Sequence, residues 1–228
     1  MPPVLRYRPG TNPRGEDTRR RLIETAIEVF GSSGYEGATT RVLAERADAN
    51  LPAIQYYFGS KEGLYRASID HIVAWIENHL APASAALEAA LADADAAPPA
   101  VEARLHELLD AVVALFVGGL GQDKWCLFLT RTEIEHMAAL DPLHEMFQRR
   151  FVRPCAAAIG RLTRQAADDP QTLMQALAIL GQITMFGKKG AQRVLGWAEL
   201  DEGRVREIQA LVRRNTAAML RATGGTMR

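Results

Sequence analysis

The stretch Thr39-Thr40-Arg41-Val42-Leu43-Ala44-Glu45-Arg46-Ala47-Asp48-Ala49-Asn50-Leu51-Pro52-Ala53-Ile54-Gln55-Tyr56-Tyr57-Phe58-Gly59-Ser60-Lys61 decides the fold. It reads as two short helices, over 40–47 and 51–58, joined by the tight turn Asp48-Ala49-Asn50. Thr39 or Thr40 suits the first N-cap, because a hydroxyl can accept from a free backbone N–H at the helix start. Pro52 falls in the first turn of the second helix, where a missing N–H costs nothing. Leu43, Ala44 and Ala47 give the first helix a small apolar inner face, and Ile54 and Phe58 do so for the second. This arrangement is a helix-turn-helix, whose second helix fits the major groove of DNA. The outer side of that helix carries Gln55, Tyr56 and Tyr57. Asn50 and Gln55 suit base edges, since a side-chain amide matches adenine N6 and N7. Thr40, Tyr56 and Lys61 suit phosphate oxygens, which position without reading sequence. Tyr57 and Phe58 are expected to close the small core.

Outward from this motif, helical spacing appears almost everywhere, and no segment alternates as a strand would. An all-α protein is expected. Residues 1–15 hold Pro2, Pro3, Pro9, Gly10, Pro13 and Gly15 and read as a flexible basic arm. Six arginines against two acids make the first 21 residues locally +4. Arg19 to Arg21 are either an ordinary solvated face or part of an arm that tracks DNA phosphates or the minor groove. A first helix is expected from Asp17 to Ser32, with Gly34 just beyond its end. A longer helix follows from Lys61 to Leu80, then a separate one at 84–93. Five more are expected over 100–117, 123–138, 142–167, 170–189 and 202–222. The domains are read as an arm (1–15), a three-helix DNA-binding domain (16–65) and a larger ligand-binding and dimerisation domain (66–228).

Composition narrows the function classes. Apolar residues are 48% and charged residues 24% of the 228, enough for a sizeable core. Lys+Arg and Asp+Glu are 27 each, which excludes a polycation. Residues 1–65 carry nine basic and eight acidic groups, so DNA affinity must come from local clustering. Cys126 and Cys155 make neither a disulfide framework nor a zinc-ligand spacing. No apolar run approaches a bilayer span, and no signal peptide is visible, so a cytoplasmic location and no membrane partner are expected.

Residues 17–65 are similar to the DNA-binding domain of TetR-family transcription regulators. The similarity rests on Thr39-Thr40-Arg41-Val42-Leu43-Ala44 and on Tyr56-Tyr57-Phe58-Gly59-Ser60-Lys61-Glu62-Gly63-Leu64. Tyr56 to Lys61, Arg131 with Glu133, and Gly187 followed by Trp197 resemble the branch with a CecR-like C-terminal domain. The resemblance implies a regulator that binds a palindromic operator in double-stranded DNA as a homodimer and is released by a small molecule. Repression is the expected sign, and the sequence does not exclude activation. Phosphate contacts are implied at Thr40, Tyr56 and Lys61, and base-reading positions at Arg41, Pro52, Ala53 and Gln55. Two departures stand out. Asp48 occupies a turn position usually held by Gly, and Asp tolerates the left-handed backbone, so the turn is expected to survive. Gln55 replaces the commoner Tyr, which favours base reading there.

Two tasks are expected of the C-terminal region. Dimerisation is assigned to Leu173, Leu177, Leu180 and Thr184 on one helix and to Val205, Ile208, Val212 and Met219 on the last. The alternative is that these stripes face the subunit's own core. Ligand sensing is assigned to Trp125, Phe128, Arg131, Glu133 and His136, with Phe116, Gln182, Met185 and Phe186 added from facing helices. Such an apolar cavity with few polar groups is how small-molecule sites are built. Arg131 is free to pair with Glu133 or with an anionic ligand. Two rival classes are weighed. A metal-dependent helical-bundle enzyme would use Glu133 and His136, but the nearest second motif, Asp141-x-x-His144, is broken by Pro142. An interaction module that has lost operator binding draws only on Asp48 and the neutral charge. No catalytic residue, metal or cofactor is expected.

Overall fold

A computed structural model of the chain describes residues 13–119, 123–135 and 137–225. The arm expected at 1–15 lies outside them up to residue 12, as does His136. Among the described residues every regular element is a helix. They are α1 (Pro13–Gly37), α2 (Thr40–Arg46), α3 (Leu51–Phe58), α4 (Lys61–Ala92), α5 (Pro98–Val113), α6 (Asp123–Glu135), α7 (Asp141–Phe147), α8 (Arg153–Thr163), α9 (Pro170–Phe186), α10 (Lys189–Val194) and α11 (Glu202–Gly225).

The differences from sequence expectation have local causes. Helix α1 begins at Pro13, in the first-turn position that proline favours, and takes in residues read as arm. It breaks at Gly34, whose φ of 75° is the left-handed value that glycine adopts without strain. Helix α4 runs through Pro82 instead of ending before it. Pro82 is exposed, so solvent can satisfy the carbonyl that its missing N–H leaves unpaired. The helix expected over 142–167 is three pieces, with a π turn over Gln148–Val152 between α7 and α8. Pro154 cannot donate to the carbonyl four residues back, and the chain widens immediately before it. A second π turn, Ala114–Gly119, follows α5. Helix α10 was not expected.

Among the described residues the chain forms two compact units. One comprises 13–75, 123–135 and 137–144, the other 76–119 and 145–225. In the first, α6 packs along α1. A Cβ at Gly31 would sit 3.2 Å from the Phe128 backbone nitrogen, so glycine lets the two helices approach closely. Phe30 lies 4.9 Å from the Tyr65 ring and 6.3 Å from Phe128, and Tyr65 lies 5.3 Å from Phe128. Phe30 and Phe128 are fully buried. Burying each is worth about 1.5–3 kcal/mol. The half-exposed Lys124–Glu28 pair at 2.9 Å adds at most about 1 kcal/mol. Aromatic burial therefore dominates the attachment of α6.

In the second unit, α5, α8, α9 and α11 pack around Leu105, Leu109, Val112, Ile159, Ile179 and Val212. Arg161 donates to five carbonyls, those of Ala90, Leu91, Asp93, Ala94 and Ala96, at 2.8–3.4 Å. This one guanidinium satisfies the C-terminal end of α4 and orders the loop after it, where a cation also complements the helix dipole. Arg213 of α11 pairs with Asp110 of α5.

The turn between α3 and α4 is the most constrained point of the smaller motif. Gly59 caps α3 in the left-handed conformation, with φ 76°. A Cβ at Gly63 would overlap the Phe58 carbonyl. Relief requires moving backbone, so Gly63→Ala is expected to destabilise the protein by about 2 kcal/mol or more. Urea unfolding of the wild type and the variant measures this difference.

Candidate nucleic-acid interface and effector region

Thr39, not Thr40, caps α2: its hydroxyl accepts from the Val42 N–H at 3.2 Å. Thr40 is thereby released from capping. The turn survives with Asp48, which takes a left-handed φ of 49°. Its carbonyl accepts from Arg21 at 3.4 Å, so one member of the basic cluster braces the turn. Arg20 pairs with Asp17 at 2.6 Å, and the Arg19 guanidinium lies 5.6 Å from the Phe58 ring centre. These arginines are partly engaged within their own unit.

Arg41, Asn50, Pro52, Gln55 and Tyr56 are exposed around α2 and α3, and Thr40 is half-buried. Asn50 occupies the N-cap of α3 without a side-chain capping bond. Ala53 differs from the rest. It is buried in the packing of α3, with 7% of its surface accessible, so any base contact there is confined to a small patch of methyl. Tyr57 and Phe58 are half-buried rather than core. Tyr56 and Tyr57 stack edge to face at 4.9 Å. Thr18, Arg21, Asn50, Pro52, Tyr56 and Tyr57 border a groove of about 510 Å³ along the motif.

Lys61 is held in a specific place. Its Nζ donates to the Tyr35 carbonyl at 3.0 Å and lies 4.2 Å from the Tyr35 ring centre. The Tyr35 N–H in turn donates to Glu135 at 3.2 Å. Glu135 also pairs with Arg131 at 3.8 Å. The partner of Arg131 is thus Glu135 and not Glu133, because residues two apart on a helix do not face each other and residues four apart do. Glu133 is exposed. Sequence reasoning missed Tyr35 and Glu135; the four-residue spacing of Arg131 and Glu135 was the available signal.

The expected effector residues divide between the units. Trp125, Phe128, Arg131 and Glu133 belong to the smaller one, and Phe116, Gln182, Met185 and Phe186 to the larger. Phe128 is core, and Trp125 packs edge-on against Trp75 at 5.3 Å and His71 at 6.0 Å. Phe116 lies 5.6 Å from Phe147, while Met185 is 59% exposed. Two cavities, one in each unit, are lined by none of these residues. Among the described residues no three His, Cys, Asp or Glu side chains cluster as a metal site.

The residues expected in the dimer stripe differ in exposure. Ile208 and Val212 are buried in the chain's own unit, continuing through Thr216 and Leu220 as one ridge of α11. Val205 and Met219 are half-buried, as are Leu173, Leu180 and Thr184. The exposed apolar ridge of α9 is instead Met174, Leu177, Ala178, Gly181 and Met185, with only Leu177 shared. The sequence alone missed this because α9 is apolar on more than one face.

A short helix-turn-helix whose second helix exposes Gln55 and Tyr56, on an all-helical body, is the arrangement of a DNA-binding regulator. Residues 22–68 match the family model described as bacterial regulatory proteins of the tetR family. Residues 101–223 match the C-terminal domain of the HTH-type transcriptional dual regulator CecR. The chain belongs to the TetR family of transcriptional regulators, in the branch with the CecR C-terminal domain. It is 30% identical to the dual regulator CecR of Shigella flexneri over 209 residues, covering 90% of this chain and 92% of that one. It is 33% identical to the transcriptional repressor NicS of Pseudomonas putida over 147 residues, covering 64% of this chain and 58% of that one. The fold resembles that of AibR, solved in complex with isovaleryl coenzyme A and operator DNA (TM-score 0.55, 17% identity, 89% of this chain and 97% of that one). No helix among the described residues is long and apolar enough to cross a membrane.

His71 provides a pH test of this unit. Burial holds its imidazole below the ordinary value of 6.5; Arg19 acts the same way and Glu24 opposes it. The folded state therefore prefers neutral His71, and the stability from it is present above pH 6.5 and lost as pH falls further. His106 behaves alike in the other unit. Thermal melts between pH 5 and 8 are expected to show a smaller acid loss for His71→Gln than for the wild type.

Proposed function

We propose that the protein is a repressor that binds a palindromic operator as a homodimer and releases it on binding a small molecule. The observation that carries this reading is the exposed face of α3 and its flanks. There Asn50, Pro52 and Gln55, with Arg41 from α2, reach base edges, and Thr40, Tyr56 and Lys61 meet phosphates. Ala53 adds a minor apolar contact. Cytoplasmic location follows from a DNA target. Selection of genomic fragments by the purified protein, repeated across salt concentrations, tests this. An enriched palindrome with a steep salt dependence supports it; weak binding without an enriched sequence sinks it. Gln55→Ala is expected to cost about 1–3 kcal/mol and to relax preference at one position in each half-site.

Dimerisation is assigned to the exposed ridge of α9, Met174, Leu177, Ala178 and Gly181, together with Leu173, Leu180 and Thr184 at its margins. Val205 and Met219, both half-buried on α11, are assigned to the same interface. A Cβ at Gly181 would meet nothing within 4 Å, so the ridge is open to a partner helix there. The two-fold axis places each substitution in the interface twice. Leu177→Asp is expected to weaken the dimer at least about tenfold by sedimentation, since it buries unpaired carboxylates. An unchanged dimer places the interface elsewhere.

For release, the effector must bind the DNA-incompetent arrangement more tightly, or it shifts nothing. Phe116, Gln182, Met185 and Phe186 are the candidates in the larger unit. Trp125, Phe128 and Arg131 are candidates by way of α6, with Glu133 and His136 beside them. Helix α4 contributes residues to both units, and its tilt would change the spacing of the recognition helices. NicS is a repressor and AibR is seen with an organic effector and operator DNA, which supports this choice among regulator types.

A further inference from the structure

The smaller unit contains a cavity of about 760 Å³ that operator reading does not use. Its floor is Tyr65 and Ile69 of α4, both buried, with Ala138, Ala139 and Pro142 opposite. Its rim is Tyr35 with Glu62, Arg66 and Asp70. Residues 62, 65, 66, 69 and 70 are one face of α4, spaced by three and four. The volume lies within the roughly 300–1,000 Å³ of small-molecule sites.

The charges of the rim are unequal. Arg66 is bound to Glu62 at 2.7 Å, and Lys61 close by is held by the Tyr35 carbonyl. Asp70, one turn beyond Arg66, is exposed and has no ion-pair partner among the described residues. Burial raises the Tyr35 hydroxyl, and Glu62 and Glu36 raise it further. Tyr65 is raised by burial, with Glu135 adding to it, against the lowering effect of its bond to Thr132. An anionic ligand would meet an unpaired carboxylate here, whereas an ammonium group would pair with one.

We propose that this groove binds a small organic cation, an ammonium head at Asp70 with an apolar or aromatic body over Tyr65, Ile69 and Ala139. It is an effector site inside the DNA-reading unit, separate from the residues assigned to release above. It rests on the regulator reading only for its consequence; occupancy itself stands alone. Phenethylammonium is the probe, and hydrocinnamate its anionic counterpart. Titration calorimetry on the full chain, without DNA, is expected to show saturable phenethylammonium binding and at least about tenfold weaker hydrocinnamate binding. Asp70→Asn is expected to weaken the ammonium probe about tenfold, and Ala139→Phe, which fills the groove, to abolish its binding. Asp70 is exposed, so its variant keeps the test valid if Ala139→Phe does not fold. Equal affinity for the two probes, indifference to Asp70→Asn, or no saturable binding overturns the proposal. The assay contains no DNA, so failure of operator selection would leave a positive result standing.

Discussion

The packing of α6 on α1 around Phe30, Tyr65 and Phe128 is the contact on which the DNA-reading unit depends. Three aromatic rings from three helices meet there, and Gly31 removes the side chain that would hold the helices apart. Each ring pair adds about 0.5–1.5 kcal/mol beyond the area it buries. The Tyr65 hydroxyl donates to Thr132 at 2.7 Å, and Thr132 donates to the Phe128 carbonyl, so the polar tip is satisfied without water. A core built this way is stiff, and it puts α6 in the same unit as the helix-turn-helix.

That placement changes what α6 can do. At its C-terminal end, Glu135 holds the Tyr35 N–H just after the break at Gly34, and the Tyr35 carbonyl holds Lys61. The lysine that the family pattern assigns to phosphate is thus positioned through Tyr35. Asp48 and Arg21 do similar work at the turn. The surface proposed to meet DNA is exposed, and the groups that hold it in place lie behind it.

Much of the motif was legible in the sequence because its signals are local. A hydroxyl before α2, a proline in the first turn of α3 and a glycine after it each act through their own backbone. Asp48 tolerates the left-handed turn for the same reason. For Arg131, four-residue helical spacing favours Glu135 over Glu133. Ala53, a base-reading position by resemblance, is spent on packing. The effector residues are expected to face one another from separate helices, and folding divides them between units.

The sequence by itself determined the all-helical class and the small domain that presents Gln55 and Tyr56, since backbone stereochemistry and three-to-four residue spacing are short-range. Only the tertiary structure decided which face of each apolar helix is buried. Helices α9 and α11 carry apolar residues on several sides, and the face that remains free depends on which neighbours pack against them. The acidic groove beside Tyr35 belongs to the same category. Its walls come from segments about 70 residues apart, and nothing short of packing brings them together.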